Sequence, residues 1–198
     1  MRVKDMVTFD YSMGRINSKN KSVEVYVNRP LEQAIERNKI MHLQGRMSHA
    51  IYLDDFANGV TVRGNQIMQN PGGMQLHNGF GNLITKNTFS ENSHEHILFN
   101  ETTPFSSIRH NRIEGNQFIS RKETPIFRLW SHQGDRNLRH FAEFGNNTYI
   151  SPSSHFAEVE GHGLLSYKTW EAMMGEQSHA PSSMPGTSPQ FAGERQKK

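Results

Sequence analysis

Short apolar runs separated by polar turns recur along the chain. They read "AIYL" at 50–53, "GMQL" at 73–76, "HILF" at 96–99 and "PIFRL" at 125–129. A second set lies between them: "VTVRG" at 60–64, "NLITK" at 82–86 and "IRHNRIEG" at 108–115. Runs this brief, rich in Val, Ile and Phe and bounded by Gly and Asn, predict strands. An Asn-x-apolar signal also repeats, at Asn38, Asn65, Asn87, Asn116 and Asn147. Its steps are 65−38=27, 87−65=22, 116−87=29 and 147−116=31. A coil of 22 residues is too tight to return through a helix, and no hairpin turns intervene, so the strands stack in parallel as a solenoid. Asn suits the corners, because it tolerates left-handed backbone angles and its amide can bond the same group one coil away.

Strand side chains alternate, which sets a register. Ile51, Met74 and Ile97 form one inward column, and Leu53, Leu76 and Phe99 form another, each step being 23 residues. Tyr52, Gln75 and Leu98 then face out, followed by Asp54, His77 and Asn100, with Asp55, Asn78 and Glu101 at the corner. In the fourth coil Phe127 and Leu129 go inside and Arg128 and Trp130 outside. Asp54 and Asp55 come to lie one coil, about 4.8 Å, from His77 and Asn78. The strip Tyr52, Asp54, Asp55, Gln75, His77, Asn78, Glu101, Arg128 and Trp130 joins aromatics, acids, amides and a base. That combination suits a sugar chain: rings cover the apolar face of a pyranose, while amides and acids bind its hydroxyls. Blander roles stay open: acids that solvate a corner, His77 as Asp54's structural partner, Trp130 packed under the C-terminal segment.

"AIYLDDFANGVTVRGNQI", "MQLHNGFGNLITKNTF" and "NRIEGNQF" resemble the repeats of right-handed parallel β-helix proteins, the pectin-lyase-like superfamily of polysaccharide lyases, hydrolases and epimerases. "LSYKTWEAMMGEQSHAPSSMPGTSPQF" is similar to the segment that closes the helix in many bacterial members. The resemblance covers roughly residues 31 to 191 and implies an all-β, right-handed parallel β-helix of about five coils over 20–151. Residues 1–151 would form the coils, 152–179 a covering segment with a short helix, and 180–198 an extended or disordered tail. The fold carries several chemistries, so it leaves the reaction open.

A lyase would need a cation for the C6 carboxylate and a base for the C5 proton: Arg128, and His77 oriented by Asp54. A hydrolase would need two carboxylates, with Asp54 and Glu101 the better pair because adjacent Asp54 and Asp55 point apart. The alternative is a non-catalytic carbohydrate-binding or structural β-helix. The net charge of +3 suits an acidic or bacterial exopolysaccharide, whereas scattered Lys and Arg argue against nucleic acid. The expected partner is a polysaccharide, and no run of about 18 apolar residues points to a membrane span. No signal peptide is legible, so the expectation is a secreted or periplasmic protein if the chain belongs to a longer precursor. An uncapped first coil would pair with another chain or with preceding coils. No cofactor is expected, Ca²⁺ being the one ion left open. His94 and His96 lie two apart without a third metal ligand. "GHG" at 161–163 is similar to a polygalacturonase motif that lies about one coil from an Asp-Asp pair, but here the separation is 161−55=106.

Overall fold

The structure, a computed structural model, describes residues 15–17, 22–27, 33–45, 48–103, 108–132 and 138–175. A strand β1 (Arg15–Asn17) precedes five coils of three strands each. The first coil holds β2 (Ser22–Val27), β3 (Ala34–Glu36) and β4 (Lys39–Met41). The second holds β5 (His49–Leu53), β6 (Thr61–Arg63) and β7 (Gln66–Met68). The third holds β8 (Gly72–His77), β9 (Leu83–Thr85) and β10 (Thr88–Ser90). The fourth holds β11 (Glu95–Glu101), β12 (Asn111–Glu114) and β13 (Gln117–Ile119). The fifth holds β14 (Phe127–Ser131), a short helix α1 (Leu138–Phe141), β15 (Ala142–Gly145) and β16 (Thr148–Ile150). The chain then adds β17 (Ala157–Val159), β18 (Gly163–Leu165) and α2 (Tyr167–Met174).

Equivalent strands of successive coils pair in parallel and form three sheets around one core. The long sheet runs β1-β2-β5-β8-β11-β14-β17-β18, with β1 and β18 antiparallel at its two ends. The outer edge of β2 is therefore covered by β1, where the sequence led us to expect an open first coil. At the other end β17 carries the long sheet past residue 151 as a sixth rung. The expected tail over 180–198 lies outside the described residues. Among those described, no helix is long and apolar enough to cross a membrane.

The inward columns follow the predicted register. Ile51, Met74, Ile97, Phe127 and Ala157 pair in sequence, as do Leu53, Leu76, Phe99, Leu129 and Val159, and all are buried. The second sheet stacks Ile40, Ile67, Phe89, Phe118 and Tyr149, and the third Ile35, Val62, Ile84, Ile113 and Phe144. Phe89, Phe118 and Tyr149 lie ring on ring at 5.0 and 5.4 Å. α2 closes the last coil by stacking the fully buried Trp170 on Phe127 at 4.9 Å. Ser166 caps its N-terminus by accepting the Thr169 N–H, and Gly175 ends it at φ 66°.

Polar ladders hold the coils together. The N–H groups of Asn38, Asn65, Asn87 and Asn116 donate to the side-chain Oδ1 of the next Asn, at 2.9, 2.9, 2.9 and 3.0 Å. Each Nδ2 donates to the same Oδ1. Two further ladders occupy the other corners: Asn70 on Asn92, and Asn82 on Asn111. The left-handed residue is not the ladder Asn but the one before it. Arg37, Gly64, Lys86, Gly115 and Asn146 precede the main ladder with φ between 54° and 67°.

Beside the second ladder lies His96, wholly buried. Asn92 Nδ2 donates to its Nδ1 (3.0 Å), so its Nε2–H donates to Ser120 Oγ (2.8 Å). Its partner one coil below is Gly73, where a Cβ would meet the His96 carbonyl at 2.3 Å. His94, two residues before it, is half-buried. Burial lowers the pKa of His96 from 6.5 to about 3. Below pH 6.5 the unfolded chain takes up a proton that native His96 refuses, so stability falls with pH until about 3. The difference amounts to at most about 5 kcal/mol. Urea unfolding between pH 7 and 4 should show this slope in the wild type and a shallower one in His96→Gln. Identical slopes would contradict a neutral buried imidazole.

Candidate functional site

On the outer face of the long sheet, His77 reaches back one coil to the end of β5. Its Nδ1 lies 2.9 Å from Asp54 Oδ1, 2.8 Å from Tyr52 Oη and 3.7 Å from Asp55 Oδ1. A carboxylate only accepts, so the neutral ring carries its proton on Nδ1 and donates it to Asp54. Nε2 lies 2.8 Å from Thr102 Oγ1 in the next coil, whose hydroxyl donates to it. Asn78, turned into the left-handed region at φ 49°, donates from Nδ2 to Asp55 Oδ1 (2.6 Å) and Thr102 Oγ1 (3.1 Å). Its Oδ1 accepts the Thr102 N–H at 2.8 Å. Asp55 is 48% exposed against 22% for Asp54 and 17% for His77, so the cluster opens to solvent through Asp55. The histidine one coil beyond the Asp pair is thus His77, not His162 of "GHG".

Tyr52, Asp54, Asp55, His77 and Asn78 therefore come together, with Thr102 added. Thr102 escapes a reading by strand alternation because strict pairing sets Asn78 opposite Glu101; the turn at Asn78 re-aims its amide by one residue. Glu101 is not part of an open strip. It is buried, with Oε2 accepting from Ser131 Oγ and Oε1 from the Ile108 N–H at 3.2 Å. Gln75 stands between Tyr52 and Leu98 in the outward column, and Leu98 is itself 4% exposed.

Arg128 is held elsewhere on the face. Its Nη1 donates to Glu95 at 3.1 Å, and Glu158 forms an ion pair with it 2.7 Å from Nε, without hydrogen-bond geometry. Glu95 also meets His49 Nε2 at 2.9 Å, across the intervening coil. Gly72 makes that reach possible, for a Cβ there would come within 2.3 Å of His49 Cδ2 and 2.8 Å of Glu95 Oε1. Trp130 is 37% exposed, one coil beyond Asn100, and borders an open cleft of about 660 Å³ with Asn100, Thr102, Glu158 and Glu160. The tryptophan that packs at the C-terminal end is Trp170, carried by the covering segment itself and stacked on Phe127.

Asp54, Asp55 and His77 each offer a ligand atom within 4.8 Å of the others, two oxygens and a nitrogen of the kind that suits a divalent cation. The face as a whole is acidic. Among the described residues it carries Asp54, Asp55, Glu95, Glu158 and Glu160 against Arg128, a formal balance of 1−5=−4. The overall charge of +3 thus says nothing of this surface.

A family model described as a right-handed β-helix region matches residues 9–162, and the chain belongs to that family. No curated protein and no solved structure matches it.

Gly72→Ala tests the reach of His49 to Glu95. The added methyl must push the two side chains apart and leave buried Glu95 short of a donor, at a cost of about 1–3 kcal/mol. Gly145→Ala, with nothing within 4 Å and no strained φ, is the control and should stay within about 0.5 kcal/mol of wild type. Equal denaturation midpoints for the two variants would show that the bridge contributes nothing.

Proposed function

We propose that this β-helix binds a polysaccharide along the outer face of its long sheet and cleaves it as a glycoside hydrolase at Asp54, Asp55 and His77. The observation that carries the reading is the convergence of two adjacent carboxylates on one imidazole, one coil away, at an open surface. Glycosidic hydrolysis needs one carboxyl group to protonate the leaving oxygen and another to activate water or attack carbon. Asp55, the most open of the three, donates to the leaving oxygen. Asp54, fixed by the His77 N–H, attacks the anomeric carbon as the leaving oxygen departs. Asp55, now ionised, then takes the proton of the water that releases the sugar, since carboxylates within 4.8 Å leave no room for a water between them. Tyr52 and Thr102 hold the imidazole from either side, so His77 keeps Asp54 in one orientation through the cycle.

Asp55 replaces Glu101 in the carboxylate pair, since both Glu101 oxygens are spent on Ser131 and Ile108. β-Elimination is supported less well. It calls for a cation to neutralise a uronate carboxylate, and the Arg128 guanidinium already serves Glu95 and Glu158.

The test is incubation with a panel of polysaccharides, read for reducing ends and for ultraviolet absorption of unsaturated products. Reducing ends without absorption are expected. Asp54→Asn, Asp55→Asn and His77→Ala should each lower turnover about 100-fold or more while melting near wild type, because these are surface groups. Trp130→Ala should chiefly weaken polymer binding, by about 1 kcal/mol. Absorbing product would make the chain a lyase. Binding without product would make it a non-catalytic sugar-binding β-helix, and full activity in the three variants would put the chemistry elsewhere.

A further inference from the structure

The outward column that begins at Asp54 and His77 continues through Asn100 to Trp130, each residue paired with its neighbour one coil on. A polymer lying along this column passes from the Asp–His cluster into the cleft beside Trp130. Two features of that cleft bear on what it can hold. Trp130 offers an exposed indole amid polar neighbours, a platform for one face of a sugar ring or for a cation above it. Its surroundings are acidic: Glu158 and Glu160, in the next coil of the same sheet face, border the cleft, and buried Glu101 also lines it.

Charge compensation is incomplete, though His132 also lines the cleft, its Nδ1 3.7 Å from Glu101 Oε2. Arg128 is divided between Glu95 at 3.1 Å and Glu158 at 2.7 Å. Glu160 gives one oxygen to the Ser131 N–H (2.8 Å) and, exposed on the rim, meets no cation among the described residues. A uronate residue entering here would set its carboxylate against Glu160, the exposed acid with no cation beside it among the described residues. Glu158 is paired with Arg128, and buried Glu101 lies near His132. A neutral sugar would gain only from stacking and hydroxyl contacts. An ammonium group would gain from both neighbours at once, through charge-assisted hydrogen bonds to Glu160 and the face of Trp130 beside it.

We propose that this cleft is a subsite for a hexosamine unit carrying a free, protonated amine, so that the polymer gripped by the face is a wholly or partly deacetylated amino-sugar chain. The inference rests on the polysaccharide-binding reading above and adds the substrate class. It assigns Glu160 and Trp130 as the groups that recognise the amine, with Glu158 reinforcing the field while it holds Arg128.

The experiment compares three probes on the whole chain by titration calorimetry, at a pH where sugar amines are protonated: a glucosamine oligomer, its fully N-acetylated counterpart, and an oligogalacturonate of equal length. The glucosamine oligomer should bind at least tenfold more tightly than the acetylated one, and its affinity should fall with added salt. The oligogalacturonate should bind weakest. Glu160→Gln, whose amide oxygen can still accept the Ser131 N–H, should remove most of the preference for the free amine by weakening the glucosamine oligomer far more than the acetylated one. Equal affinity for the two glucosamine oligomers, or an unaltered preference in Glu160→Gln, would overturn the subsite while leaving a polysaccharide-binding face in place. Tightest binding of the oligogalacturonate would overturn it outright. Should none of the probes bind and no polymer in the wider panel bind or be cleaved, the polysaccharide reading itself falls.

Discussion

Buried amide-to-amide hydrogen bonds between asparagines of neighbouring coils are the constraint from which the rest follows. A β-helix turns three corners per coil, and at each corner the backbone leaves its sheet and must find other partners for its polar groups. Here the carboxamide supplies them. In the main ladder Asn87 Oδ1 accepts both the N–H and the Nδ2 of Asn65, while its own Nδ2 reaches the Val62 carbonyl and Asn116 Oδ1. A left-handed residue just before each ladder Asn swings the chain into the bend. The residue two places later then enters the core, which is why Ile40, Ile67, Phe89, Phe118 and Tyr149 stack.

A fixed step between coils is also what makes an outer face chemically organised. Side chains on different turns meet because the corners hold the turns in register. His77 bonds Asp54 from 23 residues away, and Asn78 bonds Asp55 over the same interval. Where a contact must span two coils, the coil between gives way: Gly72 has no side chain, and His49 meets Glu95 above it. Loop length changes between coils without disturbing this arrangement, since the steps of 22, 29 and 31 residues all end on the same Asn position.

Much of this is legible in the residues. Alternation in "AIYL", "GMQL" and "HILF" yields the inward columns, and with them the placing of His77 over Asp54 and Asn78 over Asp55. The other two ladders are also written in the chain, since 92−70=22 and 111−82=29 repeat the steps of the main ladder. They are harder to see because each has only two asparagines. Nothing apolar follows Asn70 or Asn92 two places on, and the position before Asn82 is taken by Val60, whose N–H still donates to Asn82 Oδ1. What alternation cannot reveal is where a strand ends or a turn re-aims a side chain. Glu101 lies at the strand's last position and turns into the protein to serve Ser131 and Ile108, and Asn78 swings to Thr102. Nor does a net charge disclose segregation: the acids gather on one face of a chain that is positive overall.

Native-state hydrogen exchange at the ladder amides tests the central claim most directly. In the wild type the N–H groups of Asn65, Asn87 and Asn116 should exchange only through global unfolding. Asn87→Ala removes the acceptor of the Asn65 N–H and leaves several buried groups unpaired, at a cost of about 3–5 kcal/mol. Asn65 should then exchange far faster through local opening, well before the inward strands of the long sheet. If Asn65 keeps its full protection in that variant and global stability is unchanged, the amide ladder is not what holds the coils together.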